Sequence, residues 1–217
     1  MLSELTDVLT ISETLDSVMH KKLVVSALNS DSAVETISKL LDYGVSPPSL
    51  AYALKVVINQ RLVRRLCPDC KQSVDLDKTN ADKINKLFGL NNPSNMRYLH
   101  NLEVEYHQSK LGENKKVSAK MLSTTETKIK KIWVNKSSGC SNCRGSGFRG
   151  RIAVSEILKN SQEIERLIVT KSKDLLINKQ AVKEGMVNYL VDGLIKVLVG
   201  ETTIDEIIHL TKLSYLA

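Results

Sequence analysis

Apolar positions near the start of the chain repeat first at helical spacing and then without a gap. Between Leu9 and Met19 they fall at Ile11, Leu15, Val18 and Met19, the stripe of an amphipathic helix. Lys22 to Leu28 (KLVVSAL) is instead a short apolar, β-branched run, the pattern of a buried strand. Asp31 stands where it can cap a following helix. That helix would turn Val34, Ile37, Leu40 and Leu41 inward and end at Gly44. Pro47 and Pro48 open another helix, with Leu50, Leu54, Val57 and Ile58 along its apolar side. QRLVRRLC then reads as an extended segment. Helix, strand, helix, helix, strand is the order of an α/β layer on a parallel or mixed sheet. One buried strand cannot stand alone, so this layer reads as the back part of a larger domain.

Past Lys71 the pattern changes. LNNPSN is rich in turn formers, while RYLHNLEVEYH and TKIKKIWVNK alternate like short strands, with a polar linker from Gln108 to Thr125. RGRIAVSEIL predicts a further strand, and everything from Asn160 onward is helical. Asn160 and Glu163 can cap a first helix carrying Ile164, Leu167 and Ile168. A second runs from about Lys173 to Glu184 and a third from about Asn188 to Val199, stopped by Gly200. Thr203 and Glu206 have the spacing of a capping box for the last, which carries Ile204, Ile207, Ile208 and Leu210. Four short amphipathic helices predict a small helical bundle.

Composition narrows the class. With 42% hydrophobic and 25% charged residues in 217, the chain fits one large or two modest globular domains. MLSELTD has neither a basic nor an apolar signal region, and no run approaches a membrane span. A reducing cytosol is therefore the expected setting for its cysteines. The net charge of +7 is concentrated, with thirteen Lys/Arg against seven Asp/Glu between Lys71 and Gly139. Such an excess suits an anionic membrane surface or nucleic acid, or it is simply a solvated lysine-rich loop.

The four cysteines form two pairs, Cys67/Cys70 in CPDC and Cys140/Cys143 in GCSNCRGSGFRGR. Two C-x-x-C turns are the usual way to offer four thiolates to one zinc ion. Closing a loop of this length costs on the order of 4 kcal/mol plus a constant, and a structural zinc contributes about 10–16 kcal/mol. Metal binding can thus carry the closure. The alternatives are four unligated thiols or a redox pair. His100 and His107 are then surplus to a closed tetracysteine site and read as ordinary loop residues. Arg149 and Arg151 can offset the charge of the thiolates. Arg61, Arg64 and Arg65 form a basic cluster that suits ion pairs on the solvent face of a strand. Trp133 and Tyr98, set among lysines, read as local core rather than as a base-stacking surface.

Three stretches together resemble one family. GVSPPSLAYALKVVINQRLVRRLCPDC, GCSNCRGSGFRGRIAVSEIL and EGMVNYLVDGLIKVLVGETTIDEIIHLT are similar to the C-terminal part of type II secretion and type IV pilus assembly ATPases of the zinc-containing branch. Gly185, Asp192, Gly193, Lys196, Gly200, Thr203 and Glu206 sit at that family's spacings in the third stretch. Carried toward the N-terminus, the resemblance sets SELTD against the family's Walker B region, which places Glu4 at the catalytic glutamate and Asp7 at the trailing aspartate. KKLVVSALNSDSA falls on the family's histidine box, but Lys22 and Asn29 stand where the histidines would be, Thr6 replaces an arginine and Leu9 an acidic residue. His20, two positions earlier than Lys22, does not substitute. No G-x-x-x-x-G-K-[ST] loop, which would cradle the triphosphate, occurs in the sequence. Glu4 therefore has two readings, a catalytic acid in a reassembled site or a surface carboxylate.

The resemblance implies an α/β fold: the C-terminal part of a RecA-like ATPase core over 1–66, a tetracysteine zinc subdomain with a basic insert over 67–150, and a strand with a small helical subdomain over 151–217. Cys67, Cys70, Cys140 and Cys143 would be the metal ligands, and the resemblance allows one of Arg61, Arg64 and Arg65 a subunit-interface or nucleotide-facing role. ATP and magnesium would belong to the complete family protein. The implied partners are further copies in a homo-hexamer, an inner-membrane platform protein and its cytoplasmic adaptor, with the chain at the cytoplasmic face of the membrane. The rival expectation is a non-enzymatic scaffold derived from such a motor, and a nucleic-acid-binding zinc module ranks third.

Overall fold

The computed structural model describes residues 4–5, 7–90, 92–111 and 129–214. The chain is mixed α and β with small sheets, and divides into two compact units. Each unit is assembled from two separate stretches, residues 1–60 with 155–188 and residues 61–154 with 189–217.

The first unit contains α1 (Val8–Met19), α2 (Ala33–Asp42), α3 (Pro47–Ala53), α6 (Gln162–Val169) and α7 (Asp174–Lys183). Side-chain caps fix where four of its five helices begin, α7 being the exception. Asp7, the aspartate of the Walker-like segment, accepts from the Thr10 N–H at 2.8 Å and starts α1. Ser32, not Asp31, caps α2 by accepting from the Glu35 N–H. Ser46 caps α3, just before Pro47. Ile37, Leu50, Leu158, Ile164, Ile168 and Ile177 are the centre of the core. Two buried polar groups stitch it together. Glu156 accepts from the Ala33 N–H at 2.6 Å, so a carboxylate faces the positive end of α2. Asn160 donates to the Ala51 and Leu54 carbonyls, both at 2.8 Å, closing the end of α3 rather than capping α6. Ser161 takes the α6 cap instead.

Two expectations in this unit fail. The third helix ends at Ala53, and Val57 and Ile58 belong to the long strand β1 (Val56–Leu66). Their β-branched side chains alternate from one face to the other, Val57 buried and Ile58 exposed, a period of two that the helical reading overran. Residues 22–28 are extended but form no ladder, and Leu23 is 89% exposed. Ala27 alone forms a bridge, parallel to Glu4.

The second unit holds β2 (Lys71–Asp75), α4 (Lys78–Leu87), α5 (Pro93–Leu111), β3 (Lys131–Asn135), α8 (Tyr189–Leu198) and α9 (Ile204–Ser214). β2 and β3 pair antiparallel with Ser73 opposite Trp133. β1 pairs with β4 (Phe148–Lys159), and each of these strands contributes residues to both units. The core gathers Val63, Leu99, Ile129, Val154, Leu194 and Ile207. Residues 97–107, expected as a strand, lie within α5, whose inward face is Met96, Leu99, His100 and Glu103. Polar residues at two of those four positions hide the helical period in the sequence. The linker expected over Gln108–Thr125 falls on the end of α5 and otherwise outside the described residues. The expected C-terminal helical bundle is divided, α6 and α7 joining the first unit and α8 and α9 the second. Glu206 does not complete a capping box, because its carboxylate is taken by Arg64. Among the described residues no helix is long and apolar enough to cross a membrane.

Candidate metal centre

Two tight turns in the second unit bring the four cysteines together. The first follows β1, where the Cys70 and Lys71 N–H groups both donate to the Cys67 carbonyl and fold CPDC back on itself. The second surrounds a short 3₁₀ turn, Ser141–Cys143, that leads into β4. There the Arg144 N–H donates to the Ser141 carbonyl and the Gly145 N–H to the Cys140 carbonyl. Gly139 makes this turn possible. Its φ is +57°, and a Cβ there would meet the Gly145 carbonyl carbon at 2.4 Å. The turns are tied to each other directly. Cys67 N–H donates to Gly147 O at 3.0 Å, and Asn142 Nδ2 donates to Asp69 Oδ2 at 2.9 Å.

All four Sγ atoms lie within 4.8 Å of one another. The Cys67–Cys140 and Cys70–Cys143 sulfurs are 3.8 Å apart, and Cys140–Cys143 are 3.7 Å apart. Four sulfurs about 2.3 Å from a central zinc form a tetrahedron with edges of about 3.8 Å. These three separations match that figure and are far from a covalent disulfide, and all four cysteines are free. Cys67, Cys70 and Cys143 are buried and Cys140 is half-buried.

The surroundings prepare one sulfur for charge. Cys143 Sγ accepts from the Cys140 N–H at 3.1 Å and the Gly147 N–H at 3.2 Å. The Cys140 N–H, outweighing burial and helped by Gly147, draws the Cys143 thiol down to about 6. Burial and then shared protons with the other three thiols push Cys70 up to about 12. Without a cation the four sulfurs thus cannot all ionise, whereas a divalent ion at their centre would deprotonate the set. Arg149 Nη1 reaches Asp69 at 4.0 Å, on the outer side of the first turn.

Other singled-out residues fall elsewhere. Among the described residues, this is the one group of three or more His, Cys, Asp or Glu side chains close enough to share an ion. His100 and His107 lie on α5, not in a loop, and are not in that group. Glu4 is exposed and belongs to the first unit, its neighbour Leu5 donating to the Ala27 carbonyl at 2.8 Å. Lys22 and Asn29 are exposed, and Thr6 lies outside the described residues. Two of the clustered arginines make ion pairs, Arg64 with Glu206 at 2.7 Å and Arg65 with Glu201 at 2.6 Å. Trp133 is on β3, where the Lys71 ammonium stacks 4.8 Å from its ring and also donates to the Gly200 carbonyl. Tyr98 is exposed on α5 rather than part of a core. The Asp69–Asn142 bridge went unread in the sequence, where the polar middle residues of a C-x-x-C turn carry no signal of pairing with the other turn.

Residues 1–209 match the family described as Type II/IV secretion system protein. The chain is 26% identical over 98% of its length to the Type IV pilus assembly ATPase PilB of Pseudomonas aeruginosa, covering 31% of that protein. It is 29% identical to the PilB of Thermus thermophilus, covering 97% of this chain and 20% of that one. The Type II secretion system ATPase E of Vibrio cholerae is 27% identical over 98% of this chain and 34% of its own length. The chain thus spans about a third or less of these relatives.

Proposed function

The chain belongs to the Type II/IV secretion system protein family, and on that premise we propose that it supplies the C-terminal portion of a hexameric ATPase motor driving type II protein secretion or type IV pilus assembly. The observation that carries this reading is a family match over residues 1–209 that includes all four clustered cysteines. In this reading residues 1–66 are the back of a RecA-like core, 67–150 a zinc subdomain and 151–217 a strand with four C-terminal helices, two in each compact unit. Cys67, Cys70, Cys140 and Cys143 hold one zinc ion. When bound, the ion supplies a cross-link between the two turns. Four protein ligands leave it no open position, so its role is structural.

The nucleotide chemistry lies largely outside these residues. The 217 residues contain no P-loop, so the chain alone does not hydrolyse ATP. Glu4 orients the attacking water only where a P-loop segment and magnesium are brought to it. The partners are further copies in a ring, an inner-membrane platform protein and its cytoplasmic adaptor, at the cytoplasmic face of the inner membrane. A second reading, a scaffold derived from such a motor, is favoured by the exposed Lys22 and Asn29 where the family has histidines.

Deletion of the coding sequence tests the reading in the source cell. It is expected to abolish pilus assembly or protein export, and a Glu4→Gln copy is expected not to restore it. Full restoration by Glu4→Gln selects the scaffold. A deletion that leaves both processes intact overturns both readings. ATP turnover by the purified chain would contradict its assignment as inactive alone.

A further inference from the structure

The outward face of α7 and the turn before it combine two features that no contact among the described residues uses. Ile177 and Ala181 bury the inner side of this helix. On the other side Leu175 and Val182, one helical heptad apart, are 61% and 48% exposed, with Leu176 nearby at 49%. Val169, at the end of α6, is exposed just before them. Among these apolar side chains stand Lys171, Lys173, Lys179 and Lys183, all exposed. The acidic groups beside them are engaged within the unit, Asp174 accepting from the Ser38 hydroxyl and Glu184 from the Gln180 amide. No acidic partner for the four lysines exists among the described residues.

Lys179 decides what kind of surface this face fits. It sits between Leu175 and Val182, four residues after one and three before the other. In a dry protein groove its ammonium would be desolvated without a counter-charge. At a lipid interface its stem can lie along the apolar neighbours while the charge reaches the headgroup phosphates. A convex helix with apolar and basic residues on one face is also suited to a planar surface.

We propose that the Val169–Lys183 surface is a docking face for an anionic lipid bilayer, with Leu175, Leu176 and Val182 entering the headgroup boundary and the four lysines contacting lipid phosphates. This assignment rests on the exposed chemistry of the first unit and stands whether or not the chain acts in a motor.

Cosedimentation of the purified 217-residue chain with phosphatidylcholine vesicles, with and without phosphatidylglycerol, tests it. Binding is expected only with the anionic lipid, weakening as salt is raised. Each lysine contributes about fivefold, so Lys→Gln at positions 171, 173, 179 and 183 should lower binding by about a hundredfold or more. Leu175→Ser with Val182→Ser should also lower it while leaving the lysines in place. The control removes charge elsewhere, with Lys→Gln at the exposed positions 21, 22 and 159. Circular dichroism and thermal unfolding confirm that each variant folds. Loss of binding in the α7 variants with little change in the control supports the proposal. Equal losses in both sets, or no anionic-lipid binding by the native chain, overturn it. Capture of an acidic protein without any vesicle binding likewise overturns it in favour of a protein partner.

Discussion

Two backbone N–H groups aimed at the Cys143 sulfur make this residue sensitive to even a small change in chemistry. Cys143→Ser keeps the shape of the turn but replaces the proposed thiolate ligand with a hydroxyl that does not ionise near neutrality. Zinc content should fall from one per chain toward zero, measured by metal analysis of the purified protein. Because structural zinc contributes about 10–16 kcal/mol in small domains, the loss should also expose the second unit to proteolysis. Glu206 makes a milder, pH-dependent contribution. Burial pushes its carboxyl up, but hydrogen bonds from the Arg64 side chain and N–H, with the guanidinium charge, win and hold it below the usual range. A carboxyl lowered on folding stabilises above its unfolded value, about 4.3, and that contribution disappears as pH falls through the folded value. Arg64 is more than half exposed, so the expected cost of Glu206→Gln is about 1 kcal/mol at neutral pH. Urea titrations should show that difference at neutral pH and its progressive loss as pH falls below the unfolded value and through the folded one.

Elements show where the sequence was readable and where it was not. The stripe behind α1, the prolines that open α3 and the LVRR run of β1 each carry a signal that survives without knowledge of neighbours, whereas the α2 cap was read one residue early, at Asp31 instead of Ser32. The two C-x-x-C turns carry such a signal too, because their chemistry is local. α5 was illegible because the second unit buries His100 and Glu103 on the face where apolar residues were sought. The 22–28 run has strand composition, but a strand requires a partner and composition cannot supply one. The division of the C-terminal helices depends on contacts such as α3 with α6 and α5 with α8, distant in sequence. Gly193 in α8 is one such contact that was visible only as a motif letter. A Cβ there would lie 2.7 Å from Ile207 Cδ1 of α9. Gly193→Ala gains helix propensity, yet the overpacking should dominate and destabilise the second unit by about 1–3 kcal/mol. A stabilised Gly193→Ala protein in thermal unfolding would show that α9 yields without cost.

At the scale of the whole molecule, the candidate metal centre belongs to one of two separately cored units. The cysteine turns, the Asp69–Asn142 bridge and the core around Leu99, Leu194 and Ile207 are all in the second unit. The first unit has its own core around Ile37, Ile164 and Ile177, and its hydrogen bonds to Glu156 and Asn160 involve no cysteine. The junction of β1 with the first turn is secured by the Leu66 N–H to the Glu201 carbonyl and by the Thr202 hydroxyl to the Arg64 carbonyl. Removing an ion held there would leave those bonds but deprive four buried or half-buried sulfurs of their common counter-charge. Chelation should therefore loosen the second unit first. Amide hydrogen exchange checks this with and without a zinc chelator under reducing conditions. Protection is expected to fall in β2, β3, α5 and α8 and to persist in α2, α3 and α6, with readdition of zinc restoring it. Uniform loss across both sets of elements would mean that the chain folds as one cooperative body around the metal. No loss in either would mean that the four sulfurs are held by the packing of the turns rather than by an ion.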